Sequence, residues 1–267
     1  MDNIAFCFIV KDGEEYLQKN IEKIMKFADS HSLKYNFFYA ENDSTDSTIR
    51  ILKKYNFKGE HLLLDGKHST DLCDKTDINC RERTRRLAYL RNTVLNMAKG
   101  WESCEYICML DMDFIDFNEN ELYKMFNIIK NNPNINGIFG MSVTEYGFFY
   151  DIGAVRPFGK IIDIMSKDKL VPVESAFSGF GIYRMKVLRD ENLEYNTQTN
   201  EIEHIDFNKK IDNLYVYTSF RPVYDCIKYT NFMIINAIKI FIILIFMILC
   251  QLIYHGTSLS RRGFRHL

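Results

Sequence analysis

Seven consecutive apolar residues, Ile4 to Val10, stop at Lys11-Asp12-Gly13, and the pattern that follows has a different period. From Glu14 onward, Leu17, Ile21, Ile24 and Ala28 recur at three- and four-residue spacing, with Glu15, Lys19, Glu22 and Lys26 mostly on other faces. An unbroken apolar run of this length is a strand covered on both sides, and a 3.6-residue period is an amphipathic helix. The same succession then repeats: Asn36 to Ala40 is a second strand candidate, Ile49 and Leu52 open a second helix, and His61 to Leu64 is a third strand. Strand-helix-strand-helix-strand constrains the chain to a mostly parallel sheet with helices on both faces, because parallel neighbours need crossover connections. Such sheets bind ligands beyond the carboxyl ends of their strands.

Asp65 to Glu82 is polar with little periodicity and reads as a surface excursion. A helix is expected from about Thr84 to Lys99, and a central strand over Glu105 to Leu110. Glu119 starts another helix with Leu122, Met125, Phe126 and Ile129 inward; Asn131-Asn132-Pro133-Asn134 breaks it, and Ile135 to Met141 is strand-like. Further strands are expected near Gly147–Tyr150, Gly181–Arg184 and Leu214–Phe220, extending the same domain.

The apolar fraction of 47% excludes a disordered body. With 34 basic against 35 acidic side chains, nothing provides a bulk electrostatic grip on a nucleic-acid backbone. Of the seven cysteines, Cys7 and Cys108 sit inside apolar runs as small hydrophobes, while Cys73 and Cys80 lie in a polar stretch where a bridge or a metal is the alternative. No second pair stands at zinc-site spacing, so reduced thiols in a cytosolic setting are expected.

Phe232 to Tyr254 is a 23-residue run interrupted only by Asn236, Lys239 and Gln251, long enough to span a bilayer. The alternative is a hydrophobic helix packed on the domain or lying in the interface. The N-terminal run is too short, and lacks the basic lead, for a signal peptide. Two regions follow: a main α/β domain, 1–228, and a membrane-associated helix with a short basic tail, 229–267. The main domain is expected to face the cytosol from a tail anchor. Arg261, Arg262 and Arg265 after the segment balance Arg221, Lys228 and Lys239 before or within it, so charge does not orient it. The sequon Asn42-Asp43-Ser44 argues against a lumenal body, where it would invite glycosylation. A composition rich in Asn, Lys, Ile and Phe fits an AT-rich genome such as that of an intracellular parasite or a large virus.

Chemistry concentrates in four places. Tyr106-Ile107-Cys108-Met109-Leu110 ends in Asp111-Met112-Asp113, two carboxylates leaving a buried strand. Hard oxygen ligands there suit Mg²⁺ or Mn²⁺ bridging a nucleotide diphosphate. Glu41 to Thr48 caps a helix, and Glu41 and Asp43 are placed to accept hydrogen bonds from a nucleobase and ribose. On the helix after Thr84, Arg83, Leu87, Leu90, Arg91 and Val94 share one side, so Arg91 needs an anionic partner: a structural aspartate, Asp111 or a substrate phosphate. Asn92 is expected to hydrogen-bond across the cleft, and Arg86 to be a solvated charge. Late in the chain, Gly179 lies in a small-residue turn suited to close approach of a ligand. Glu203, His204 and Asp206 crowd into four positions, with His204 a candidate metal ligand and Glu203 or Asp206 a candidate base.

On these residues the chain resembles the GT-A superfamily of nucleotide-sugar glycosyltransferases. Asp111-Met112-Asp113 is similar to its Asp-x-Asp motif, whose last carboxylate usually holds the metal, and Arg83 with Leu87-Ala88-Tyr89-Leu90-Arg91-Asn92 resembles the helix that precedes that motif. In element order it looks most like the fungal capsule-associated mannosyltransferases and mannan-polymerase subunits. The resemblance implies a Rossmann-like, mixed but mostly parallel sheet, with the C-terminal hydrophobic helix added to it. It also implies Mn²⁺ or Mg²⁺ as cofactor and a GDP- or UDP-sugar donor, with a glycan, lipid-linked or protein acceptor. The alternatives are a nucleotidyltransferase, for which Val10-Lys11-Asp12-Gly13 is glycine-poor, and a non-catalytic membrane-attached binding protein with a transferase fold.

Overall fold

The computed structural model describes residues 2–62, 81–166 and 170–225, within the unit Met1–Asp225. The expected membrane segment at 229–267 lies outside the described residues, as do Cys73, Cys80, Cys226 and Cys250. The chain begins β1 (Asn3–Val10), α1 (Leu17–Ser30), β2 (Lys34–Asn42), α2 (Thr48–Leu52) and β3 (Lys58–Leu62). Next come α3 (Arg81–Lys99), β4 (Tyr106–Asp111), β5 (Phe114–Asp116), α4 (Glu119–Asn131), β6 (Gly137–Gly140) and β7 (Val143–Thr144). A 3-10 turn, Ile152–Ala154, leads to α5 (Lys160–Ser166), β8 (Leu170–Val173), β9 (Phe180–Arg184), α6 (Met185–Asp190), α7 (Glu203–Asn208), β10 (Leu214–Tyr217) and β11 (Val223–Tyr224).

Eight strands form one sheet in the order β3-β2-β1-β4-β9-β6-β10-β8, and β5-β11-β7 form a second. The first four strands of the large sheet are parallel. β9 then runs antiparallel between β4 and β6, and β8 runs antiparallel to β10 at the edge. The sheet is thus mixed. The expected strand at Gly147–Tyr150 is instead the end of a hairpin, and β8 had no distinct apolar signal because Pro172 interrupts it.

The unbroken run of β1 reflects burial on both faces. Ala5 and Cys7 pack with Ala88, Leu90, Val94, Leu95 and Ala98 of α3 on one side. Ile4, Phe6 and Phe8 pack with Leu17, Ile21, Ile24 and Phe27 of α1 and with Leu122, Met125, Phe126 and Ile129 of α4 on the other. Alternation along a strand sends successive side chains into different cores. Asn118 caps α4, its side chain accepting from the Asn120 and Glu121 amides. Cys7, Cys104 and Cys108 are free and buried, and burial pushes the Cys104 thiol up to about 11, so these thiols are inert packing groups.

Candidate active site

Strand register decides which loops meet. Ile9 of β1 pairs with Asp111 of β4, and Val10 pairs with Glu41 of β2, so three parallel strands end on one edge. The loops leaving β1 and β2 are knitted together. Gly13 N donates to Thr48 Oγ1 (2.7 Å), Thr45 N to Asp12 Oδ1 (2.8 Å), Glu14 N to Asp46 Oδ2 (2.9 Å) and Ser47 N to Glu14 Oε2 (3.0 Å). Glu41, expected to meet a nucleobase or ribose, is turned to protein partners. It is 2% exposed, accepts from Ser44 N at 2.6 Å, and pairs with His61 Nδ1 at 3.2 Å. Asp43 is half-buried in a left-handed backbone conformation (φ 52°) and accepts from Asn42 Nδ2 at 2.6 Å. Asn42 itself is buried, so the sequon gives no argument about the compartment.

Asp111 closes β4, and Met112-Asp113 turn the chain into β5. Two braces hold this turn. Asn20, on the buried stripe of α1, donates through Nδ2 to the Met112 and Phe114 carbonyls, both at 2.7 Å, straddling Asp113. From the other side the Asp111 amide donates to the Gly179 carbonyl (2.8 Å). Gly179 has φ +77°, and a Cβ there would lie 2.0 Å from Tyr224 Oη, so only glycine fits. Asn20 was missed in the sequence, although a polar residue between Leu17, Ile21 and Ile24 on an apolar stripe is a readable signal.

Arg91 is the electrostatic centre. It is 4% exposed, donates from Nη2 to Asp111 Oδ1 and from Nε to Glu203 Oε1, both at 3.1 Å, and lies 4.9 Å over the Phe177 ring. Burial alone would lower its pKa, but the charges of Asp111 and Glu203 outweigh that and raise it. Its partners are therefore protein carboxylates. Glu203, 4% exposed, is committed to this pair. Asn92 makes a two-point bond to the Tyr195 backbone, at 2.8 and 2.7 Å, anchoring the segment before α7. Arg86, expected in solvent, is 6% exposed, and Arg83 is half-buried.

His204 is 2% exposed and stacked on Phe177 at 3.5 Å between ring centroids, with Nδ1 3.3 Å from the Tyr195 hydroxyl. Burial, aided by the Arg91 charge, holds its pKa well below the ordinary value, so it is a neutral core imidazole. Among the described residues no group of three or more His, Cys, Asp or Glu side chains is arranged to hold a metal ion, so Asp111, Asp113 and His204 do not form a ready-made shell. His204→Ala should cost about 3 kcal/mol of stability through the lost packing. It should leave the Mn²⁺ concentration for half-maximal activity unchanged; a shifted metal titration would return His204 to the metal. Asp206 is half-buried, and its Oδ2 has no hydrogen-bond partner among the described residues.

The site also holds a residue without any periodic signal, Asp151. Ser178, next to Gly179, donates from Oγ to the Tyr150 carbonyl (3.1 Å), and Asp151 follows in a left-handed conformation (φ 53°). Crowding by protein, then the negative charges of Asp111 and Glu203, push its pKa up to about 7, while Arg83 and Arg91 pull it down. The side chain is nonetheless exposed, and water on its open side softens the crowding. In metal-free protein the folded state keeps this proton where an unfolded aspartate, of pKa about 3.9, has lost it, so stability falls as pH rises from about 4 towards 7 and then levels. Urea midpoints of wild type and Asp151→Asn in chelator should agree at the acid end and separate at the alkaline end, the variant being higher. Parallel curves would show that Asp151 titrates normally.

A mixed sheet whose parallel strands end on one edge, with Asp-x-Asp at the end of the central strand β4, is the arrangement of a GT-A transferase fold. The solved structures agree on the fold. TarS residues 1–349 from S. aureus superpose with a TM-score of 0.55 at 14% identity, covering 90% of this chain and 65% of that one. The same TarS fragment in complex with UDP-GlcNAc gives 0.53 at 14% identity, covering 84% and 58%. The mannosyltransferase PcManGT from Pyrobaculum calidifontis, in complex with GDP-Man and Mn²⁺, gives 0.53 at 9% identity, covering 82% and 56%. The chain thus spans less than two thirds of these proteins. No family model matches the chain, and no curated protein matches it.

Proposed function

We propose that the chain is a metal-dependent glycosyltransferase that moves a hexose from a GDP- or UDP-sugar to a glycan, lipid-linked or protein acceptor. The observation that carries this reading is the braced turn Asp111-Met112-Asp113 at the carboxyl edge of β4, gripped by Arg91 on one side and Asn20 on the other. The donor set fits Mn²⁺ or Mg²⁺, which take one or two carboxylates and fill the remaining positions with water and substrate phosphate oxygens. Asp111 and Asp113 would hold the ion, which supplies charge neutralisation for the departing diphosphate.

The other roles belong to the chain's own side chains. Arg91 fixes the Asp111 carboxylate, and Glu203 keeps Arg91 in place, which makes Glu203 a positioning residue and a poor base. Asp43 is the carboxylate on the β2 edge for the ribose. If the reaction inverts, Asp206 or Asp151 takes the acceptor proton; a retaining reaction requires neither in that role. The likeness to the fungal mannosyltransferase groups rests on the Arg91-Asn92 helix, the strand ending in Asp111-Met112-Asp113 and Glu203-His204, and a mannosyl donor is the finer form of this proposal. The segment Phe232–Tyr254 is assigned to membrane attachment, with the catalytic body on the cytosolic side; among the described residues no helix is long and apolar enough to cross a membrane.

Donor-dependent release of nucleoside diphosphate, measured with Mn²⁺ and with chelator, tests the function. Release only with metal is expected. Pyrophosphate release would identify a nucleotidyltransferase, and nucleotide binding without turnover a binding protein. Carbonate fractionation of the intact chain tests attachment, and soluble protein would rule out a span.

A further inference from the structure

We propose that Tyr195 and His204 are positioning residues of the donor site: His204 carries its one ring proton on Nε2, Tyr195 keeps it there, and the imidazole thereby steadies the Glu203 carboxylate that holds Arg91. The inference rests on the transferase function proposed above and adds to it what sets the direction of Arg91. Two adjacent pairs, Arg91-Asn92 on α3 and Glu203-His204 at the start of α7, meet through Tyr195 in a closed circuit. Arg91 Nε donates to Glu203 Oε1 at 3.1 Å, and His204 Nε2 stands 3.6 Å from that same oxygen. His204 Nδ1 lies 3.3 Å from the Tyr195 hydroxyl, and the Tyr195 backbone returns to α3 through both amide atoms of Asn92, at 2.7 and 2.8 Å.

The chemistry of the ring decides which nitrogen carries the proton. A neutral imidazole has one N–H and one bare nitrogen, and the bond made by one nitrogen fixes the state of the other. Nε2 is buried, has no hydrogen-bond partner among the described residues, and faces the Glu203 carboxylate from just beyond hydrogen-bond range. A lone pair there would meet the negative charge of Glu203, whereas an N–H is attracted to it. The proton therefore belongs on Nε2, and Nδ1 accepts from the Tyr195 O–H. Burial holds the Tyr195 phenol well above its ordinary pKa, so that donor is retained.

Packing leaves these groups little freedom. Tyr195 is buried and stacked on Phe207, with ring centroids 4.0 Å apart and planes within 7°. The His204 ring and the Arg91 guanidinium both lie against Phe177, at 3.5 and 4.9 Å from its centroid. Tyr195 and His204 are too deeply buried to meet a substrate, so their influence on the donor passes through Glu203 to Arg91, and from Arg91 Nη2 to Asp111 Oδ1 at 3.1 Å. Removing a group that orients a ligating residue from behind costs about tenfold or more in affinity or activity.

The test is made on the full chain. Histidine-selective ¹⁵N labelling with long-range ¹H–¹⁵N correlations separates protonated from bare ring nitrogens, and the His204 signals are assigned through their contacts with the Phe177 ring. Wild type should carry the proton on Nε2; a proton on Nδ1 overturns the inference, and this arm requires no variant. Affinity for UDP and for GDP is then measured by calorimetry with Mn²⁺. Tyr195→Phe keeps the stack on Phe207, removes only the hydroxyl, and should weaken binding about tenfold. His204→Gln, whose amide places an N–H where Nε2 stood, should keep more of the affinity than His204→Asn, whose amide reaches only the Nδ1 place. Packing alone would treat these two variants alike, since both lose the ring on Phe177. Equal losses in the two, or unchanged affinity in folded Tyr195→Phe, overturn the inference and leave the transferase reading standing. Wild type that binds neither nucleotide overturns both.

Discussion

Asp113→Asn should reduce Mn²⁺-dependent transfer by about three orders of magnitude, roughly 4 kcal/mol of transition-state stabilisation, with the melting temperature nearly unchanged. The size follows from the role. A carboxylate that helps to place a divalent ion against a diphosphate acts on charge that develops as the leaving group departs, so its loss falls on turnover. The stability expectation follows from the bracing. Asn20 grips the carbonyls of Met112 and Phe114, and Gly179 accepts the Asp111 amide, so the turn is held by its backbone, and asparagine is nearly isosteric. The measurement is nucleoside diphosphate release at saturating donor across a Mn²⁺ titration, alongside a thermal melt. Full activity in the folded variant would remove Asp113 from the metal, and a large drop in melting temperature would make it a structural capping residue.

Arg91→Ala should lower unfolding free energy by about 3–5 kcal/mol and abolish measurable donor binding. Removing one partner of a buried ion pair leaves the others uncompensated, which costs more than the pair itself contributes. Here two carboxylates would be stranded: Glu203, whose side chain is 5% exposed, and Asp111, whose side chain is 28% exposed. Glu203 bears most of the penalty, whereas Asp111 can rehydrate but loses its fixed direction. The variant also forfeits the guanidinium stacking over Phe177. Arg91→Lys should recover part of the stability but little of the donor affinity, since an ammonium cannot serve Glu203 through Nε and Asp111 through Nη2 together. Denaturant midpoints and nucleoside diphosphate affinity measured on both variants decide the matter. A folded Arg91→Ala protein with unchanged affinity would make Arg91 purely structural.

Much of the frame was legible in residue order. The apolar run Ile4–Val10, the stripe Leu17-Ile21-Ile24-Ala28 and the strand before Asp111 are local signals, because burial on one or two faces imposes a period on consecutive residues. The same logic placed Arg91 on an apolar face, where a guanidinium must find an anion. Local periodicity failed where roles depend on partners far along the chain. Glu41 looked like a nucleotide ligand and turned inward to Ser44 and His61, twenty residues on. His204 looked like a metal ligand and became a ring stacked on Phe177. Asn92 spent both amide atoms on a backbone 103 residues away.

The sequence by itself determined the alternating strands and helices and the position of two carboxylates at the end of a central strand, since these follow from patterns within a few residues. Only the tertiary structure decided that β9 runs against its neighbours and brings Gly179 to Asp111, that Asn20 braces the turn around Asp113, and that Asp151 comes under the charges of Asp111 and Glu203. Each of those depends on a contact between segments separated by 28 to 94 residues. No local period encodes such a contact, because its free energy arises only once the sheet has closed and brought both partners to one edge.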